Sequence, residues 1–359
     1  MPLRRIKNMK RATEFRRRFS ALASLARISL ALALVSVFIA EAGQKIHLAP
    51  KFIPGQTLRY RIQARTSTKG TTTIPIANPE GGSEENLASL MVVRLDVLNA
   101  APAASDAQGA ARIRATYEES QATEESDAVN PGTPAPGEQY QRMEGLSIEF
   151  TIGPGGQLAD FQGLDKIFPN ASDAEPMLSW ARGLSSSAGF PKHGIEIGQK
   201  WTSERDLEGL PLTGLQWKTE ATYLRDEPCS SSAASGAGET RAETNPAAPA
   251  TNSEQREICA IILTQFEIQR HASARSDATP DDYRKNGLRT SGKWSGSGES
   301  LDYISLASGL LVSSTQSSTQ DVDYQIISTK NAGSTIHRTS HVTTKTEITL
   351  LPAPLAPKS

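Results

Sequence analysis

Leu58-Arg59-Tyr60-Arg61-Ile62-Gln63-Ala64 is the stretch on which the fold turns. In an extended chain successive side chains point to opposite faces. Leu58, Tyr60, Ile62 and Ala64 therefore share one face, and Arg59, Arg61 and Gln63 take the other. A strand with one apolar and one polar side belongs to an antiparallel sheet with one covered face. Pro54-Gly55, just before it, supplies the turn.

The same period of two recurs outward from this strand. Leu87, Met91, Val93, Leu95 and Val97 are in phase, and Leu90 and Val92 on the reverse side point to a strand partly covered on both faces. Ile113, Ala115 and Tyr117 alternate with Arg112, Arg114 and Glu118, and Leu146, Ile148, Phe150 and Ile152 with Ser147, Glu149 and Thr151. Farther on come Trp217, Thr219, Ala221 and Tyr223, then Ala260, Ile262, Thr264, Phe266 and Ile268. Val322, Tyr324 and Ile326 follow, and Ile336, Val342, Ile348 and Leu350 close the series. The long Ser- and Thr-rich strands of the last third suit a sheet with a solvated face.

One stretch has helical spacing. Met177, Trp180, Ala181 and Leu184 follow a Ser172/Glu175 capping box, with Pro176 in the first turn and Gly189 and Pro191 beyond the end. About three turns are expected, packed on a sheet face. The expected fold is mainly β: a curved antiparallel sheet, a half-barrel or open barrel, with one amphipathic helix packed on it. Ala101 to Gly109, Gln121 to Glu138 and Ala272 to Asn286 have loop composition and sit where hairpin tips fall. They read as disordered insertions into one domain, residues 43–350, followed by a Pro-rich tail, 351–359.

Residues 1–42 read as a signal peptide. Nine Lys and Arg run into the apolar segment Ile28 to Ala40, too short to span a bilayer, and Ala40-Glu41-Ala42 forms a small-residue cleavage site. Arg16, Arg17 and Phe19 also fit a twin-arginine core, so the export route stays open, as does retention of the segment as an anchor. Without residues 1–42 the chain has 29 Lys and Arg against 37 Asp and Glu. That acidic balance argues against nucleic acid, whose binding needs clustered cations. A periplasmic or secreted location follows, with the membrane reached only through an uncleaved export segment.

Cys229 and Cys259, the two cysteines, bracket a segment of small and polar residues, Ser230 to Glu257. In an oxidising compartment they are expected to pair and staple two strands at the root of that loop, the alternative being a redox or metal pair.

No residue set stands out for chemistry, and neither a catalytic residue, a metal ligand nor a cofactor is expected. His337 and His341 lie four apart on a strand, roughly 13 Å by strand rise, too far to share a metal. Gly296-Ser297-Gly298 is no nucleophile elbow. The carboxylate pairs Glu84-Glu85, Glu118-Glu119, Glu124-Glu125 and Asp281-Asp282 read as solvated charge in or beside polar loops. The tryptophans and tyrosines are mostly in phase with the apolar face and read as core.

The export segment, the succession of long strands and the lone apolar helix together resemble envelope proteins of the lipoprotein-carrier half-barrel type. The opening Phe52-Ile53-Pro54-Gly55-Gln56-Thr57-Leu58-Arg59-Tyr60-Arg61-Ile62 also resembles secreted bacterial β-rich proteins. There is no lipid-anchor cysteine. The carrier resemblance implies a cavity between sheet and helix, for which Met177, Trp180, Leu184, Trp217 and Tyr223 are the candidate lining. Three functions stay open: a non-enzymatic envelope protein binding a lipid, another apolar ligand or an envelope protein; a structural or protein-interaction module using strand edges; and a hydrolase with a dispersed site.

Overall fold

The computed structural model describes residues 45–73, 82–100, 109–127, 136–153, 158–167, 180–181, 184, 189–191, 193–207, 210–229, 257–271, 278–330 and 335–352. Its strands are β1 (Thr57–Thr72), β2 (Gly82–Ala100), β3 (Ala111–Ser126), β4 (Ser147–Ile152), β5 (Leu158–Gln162), β6 (Lys200–Asp206), β7 (Leu215–Pro228), β8 (Ile258–Arg270), β9 (Leu288–Ser305), β10 (Leu311–Ser328) and β11 (Thr335–Leu350). Short helices among the described residues are α1 (Pro136–Met143), α2 (Leu164–Ile167) and α3 (Asp281–Lys285).

All eleven strands form one antiparallel sheet in the order β5-β4-β3-β2-β1-β11-β10-β9-β8-β7-β6. Every step is a hairpin-type neighbour except one, where the first and last strands pair over thirteen positions from Tyr60↔Leu350 to Thr72↔Arg338. Among the described residues the sheet is open between β5 and β6.

The face carrying Leu58, Tyr60 and Ile62 packs the main core. Register carries that face across the sheet through Leu95, Val93 and Met91 of β2, Ile113, Ala115 and Tyr117 of β3, and Ile348 of β11. Covering them are Leu48, Tyr140, Met143, Trp180, Ala181, Leu184 and Ile195. Ile46 and Ile195 exchange two backbone hydrogen bonds of 2.9 Å, which ties the chain before β1 to the chain before β6. The expected helix from Ser172 lies mostly outside the described residues. Trp180 and Ala181 are helical and, with Leu184, buried as its apolar stripe requires.

Two of the expected loops carry regular structure. β3 continues through Gln121 to Ser126 and α1 begins at Pro136, while α3 lies within Ala272 to Asn286. Polar composition hid both: β3 beyond Gln121 and α3 bury little apolar surface, and α1 reaches the core through Tyr140 and Met143 alone. β3 outruns β4, whose pairing stops at Thr116, and α1 packs along the uncovered part. β9 outruns β8 in the same way. There the Thr279 hydroxyl accepts from Thr290 N at 2.9 Å and donates to Thr290 O at 3.2 Å, so one side chain stands in for a missing strand.

The carboxylate pairs also sit on regular elements: Glu84-Glu85 on β2, Glu118-Glu119 and Glu124-Glu125 on β3, and Asp281-Asp282 on α3. A register shift opposite Val92 and Val93 leaves Glu118 as the extra residue of a β-bulge. It accepts from Arg59 Nε at 2.6 Å and approaches Arg94 at 3.5 Å.

Candidate functional site: a groove across seven strands

A groove of about 1050 Å³ crosses β3, β2, β1, β11, β10, β9 and β8 at mid-length. Strand pairing sorts its lining into rows. One row runs Thr123, Ala88, Arg65, Lys345, Ser317, Glu299, Gln265, each residue directly opposite the next. The second runs Glu125, Asn86, Ser67, Thr343, Thr319, Ser297, Glu267. Both rows have the phase opposite to Tyr60 and Ile62, so the groove lies on the face turned away from the main core. Between them pass Leu87, Thr66, Thr344, Ser318, Gly298 and Phe266, whose side chains belong to the other face. Seven strands at ~4.8 Å spacing make the groove roughly 29 Å long.

A second groove of about 520 Å³ adjoins the first. Gln63, Leu90, Gln121 and Glu347 belong to it alone, and Arg65, Ala88, Thr123 and Lys345 line both. The boundary between the two is therefore the cross-strand pair Arg65 and Lys345 with its neighbours.

On the opposite face a glycine makes room for a ring. Any side chain at Gly298 would collide with the Phe266 ring, its cross-strand partner, so the glycine lets that ring lie flat on the sheet. Trp217 stacks on Phe266 with centroids 4.2 Å apart, and Arg205 lies over Trp217 at 5.3 Å. Gly296 and Gly298 are thus strand residues of β9 that make room for aromatic and aliphatic neighbours.

One carboxyl is buried on the core-side face. Asp302 accepts hydrogen bonds from Ser314 Oγ at 2.6 Å and Ser300 Oγ at 3.3 Å, and burial pushes its pKa up to about 6. The two serine hydroxyls hold the carboxyl in place, and the Ser314 bond ties β9 to β10. Burial, with Asp226 beside it, also raises the Tyr223 hydroxyl. On the outer face Glu149 is held below the usual carboxylate range, chiefly by its bonds to Arg114 and also by those to Arg112.

Of the residues expected at a site from sequence, Cys229 and Cys259 form a disulfide with their Cα atoms 5.0 Å apart. Trp180, Leu184 and Tyr223 are buried in the main core, Trp217 stands apart in its stack with Phe266, and Met177 lies outside the described residues. None of the four described ones lines either groove. His337 and His341 each reach a separate carboxylate, Asp323 and Asp321, at 2.7 Å. Among the described residues no three His, Cys, Asp or Glu cluster as metal ligands. Sequence reading missed the groove because its walls come from strands up to 280 residues apart; Arg65 and Lys345 are each unremarkable outward residues until register sets them opposite each other.

No protein-family model and no curated protein sequence matches the chain. Among solved structures, lipovitellin, described for its lipid–protein interactions, is similar at 10% identity and a TM-score of 0.42, covering 86% of this chain and 27% of its own. The chain thus spans about a quarter of that protein's length. The outer membrane protein OprG of Pseudomonas aeruginosa is similar at 9% identity and a TM-score of 0.17, covering 85% of this chain and 99% of its own. OpdQ of the same organism gives 5% identity and a TM-score of 0.19 over 83% of this chain and 100% of its own. Likenesses this distant identify no ligand.

Proposed function

We propose that this chain is an exported, non-enzymatic binding protein of the cell envelope whose mid-sheet groove holds an elongated envelope component. The observation that carries this reading is the groove itself: about 1050 Å³ crossing seven strands, continuous with a further 520 Å³. The disulfide fits an oxidising compartment, and the basic-then-apolar segment 1–42 fits export with cleavage after Ala42. The two together support periplasmic or secreted placement. Of the ligand classes open at the level of sequence, a component with both apolar and polar parts suits this lining, because Ser, Thr, Asn, Gln and ionisable residues make up most of it while carbon makes up most of its exposed surface.

Native mass spectrometry tests the reading, on protein taken from its own envelope fraction without detergent exchange, beside the variant Thr319→Trp. Thr319 is in the middle of the second row, on the face away from the core, so an indole there fills the groove without entering packed interior. A retained small mass in the parent that is absent from the variant is the expected result. Equal retention in both, or none in either, overturns it. An intact denatured mass starting at Gly43 and two hydrogens short checks export and the disulfide in the same experiment.

A further inference from the structure

Several basic side chains on the groove-bearing face are matched. Arg59, Lys69, Arg94, Arg112 and Arg114 each hold a carboxylate oxygen within 3.3 Å. Arg65 and Lys345, like Arg61 and Lys293 on that face, form no ion pair among the described residues; what sets them apart is that they stand directly opposite each other on β1 and β11. Like charges directly opposite on paired strands destabilise a sheet. This pair also sits where both grooves meet. An unmatched dication at the junction of two cavities is the arrangement an incoming anion would neutralise.

The surroundings narrow the class of anion. Flanking the pair in the larger groove are Ser317, Ser67, Thr343 and Asn86, which donate and accept hydrogen bonds alike, as sugar hydroxyls require, while on the side of the smaller groove Glu347 is the nearest carboxylate, diagonal to Arg65 and two residues from Lys345, with no ion pair to either. The groove's ends are acidic, Glu125 on β3 at one and Glu299 and Glu267 toward β9 and β8 at the other. From the cation pair those ends lie roughly two to three strand spacings away, ~10 to 14 Å. A polymer charged at every unit would meet carboxylates at both ends, whereas one carrying its charge at a single point would not.

We propose that Arg65 and Lys345 form an anion subsite at the centre of the groove, for a polyhydroxylated chain bearing one localised anionic group, a sugar carboxylate or a phosphate. The proposal rests on the groove being the ligand site. Arg65 presents a planar fork to two oxygens of the group while Lys345 adds a point charge from the neighbouring strand. The hydroxyl rows on both sides carry the uncharged units.

Calorimetry on the purified chain tests this with three probes: a xylo-oligosaccharide carrying one glucuronate, the same oligosaccharide without it, and inorganic phosphate as competitor. The expected result is that the acidic chain binds at least about tenfold tighter than the neutral one, and that Lys345→Gln and Arg65→Gln each remove about tenfold of that preference. Added salt should weaken the acidic chain selectively. Relief of the like-charge contact should leave the thermal midpoint of unliganded Lys345→Gln at or above that of the parent, which separates a ligand role from a structural one. Displacement of the acidic chain by millimolar phosphate would assign the subsite to phosphate; failure to displace it assigns the carboxylate. Equal binding of acidic and neutral chains that Thr319→Trp abolishes would leave the groove standing and sink the subsite. Binding indifferent to Thr319→Trp would remove the groove reading too, and no saturable binding by either chain would overturn the subsite.

Discussion

Asp302 on β9 and Ser314 on β10 face each other across the sheet and share a 2.6 Å hydrogen bond, with the carboxyl shut away from solvent on the core-side face. Burial outweighs the two serine bonds, which is why the carboxyl's affinity for its proton rises rather than falls.

That balance predicts a pH signature. The folded carboxyl, at about 6, binds its proton more tightly than the unfolded one, so ionising it costs nothing below about pH 4, and stability falls as pH rises through the interval to about 6. The full cost above that is roughly 2 to 3 kcal/mol. Asp302→Asn keeps an acceptor for Ser314 and escapes the cost, so its thermal midpoint relative to the parent should climb between pH 4 and pH 7. A pH-independent difference between the two proteins, measured by calorimetric melting, would sink this account.

Reduction of the Cys229–Cys259 bond, or replacement of both cysteines by serine, should destabilise the protein by about 3 to 4 kcal/mol, because it frees a loop spanning 30 residues in the unfolded chain. Denaturant titration with and without reductant reads the difference. The β7–β8 pairing at Glu227↔Cys259 should persist in the reduced protein, since it is held along most of both strands.

Gly298→Ala should cost about 1 to 3 kcal/mol, since the new methyl meets the Phe266 ring and the Ser317 carbonyl. The ring has to leave its place under Trp217 to make room, so the fluorescence of that tryptophan should shift along with the melting temperature. An unchanged spectrum with an unchanged midpoint would mean the ring does not depend on the glycine.

Thr279→Val should leave Thr290 N without its acceptor and cost about 1 to 3 kcal/mol. Hydrogen exchange locates the effect better than a melt does. Amides of β9 near Thr290 should lose protection while those of β9 paired to β8, around Asp302, keep theirs.

Much of this fold was legible residue by residue. The alternation at Leu58 to Ala64 assigned the faces of β1 correctly, and the reverse-side Val92 was rightly expected to be covered, being 2% exposed. The buried Trp180 and Leu184 likewise follow from their spacing. What misled was polarity: Gln121 to Ser126 and Asp281 to Lys285 look like loop, yet one continues a strand and the other caps an edge. Elements whose task is to cover backbone rather than bury apolar surface leave little hydrophobic pattern to read.

By itself the sequence determined which residues extend, which side of each strand is apolar, and that Cys229 and Cys259 stand at the root of one loop, because a period of two and the bracketing of a polar segment are local properties. Only the tertiary structure decided that β1 lies beside β11, that Arg65 meets Lys345, and that two hydroxyl rows line up across seven strands. Register between distant strands is set by the packing of the whole covered face, since a slip of one residue would turn every apolar side chain of a strand outward. No window along the chain contains that information.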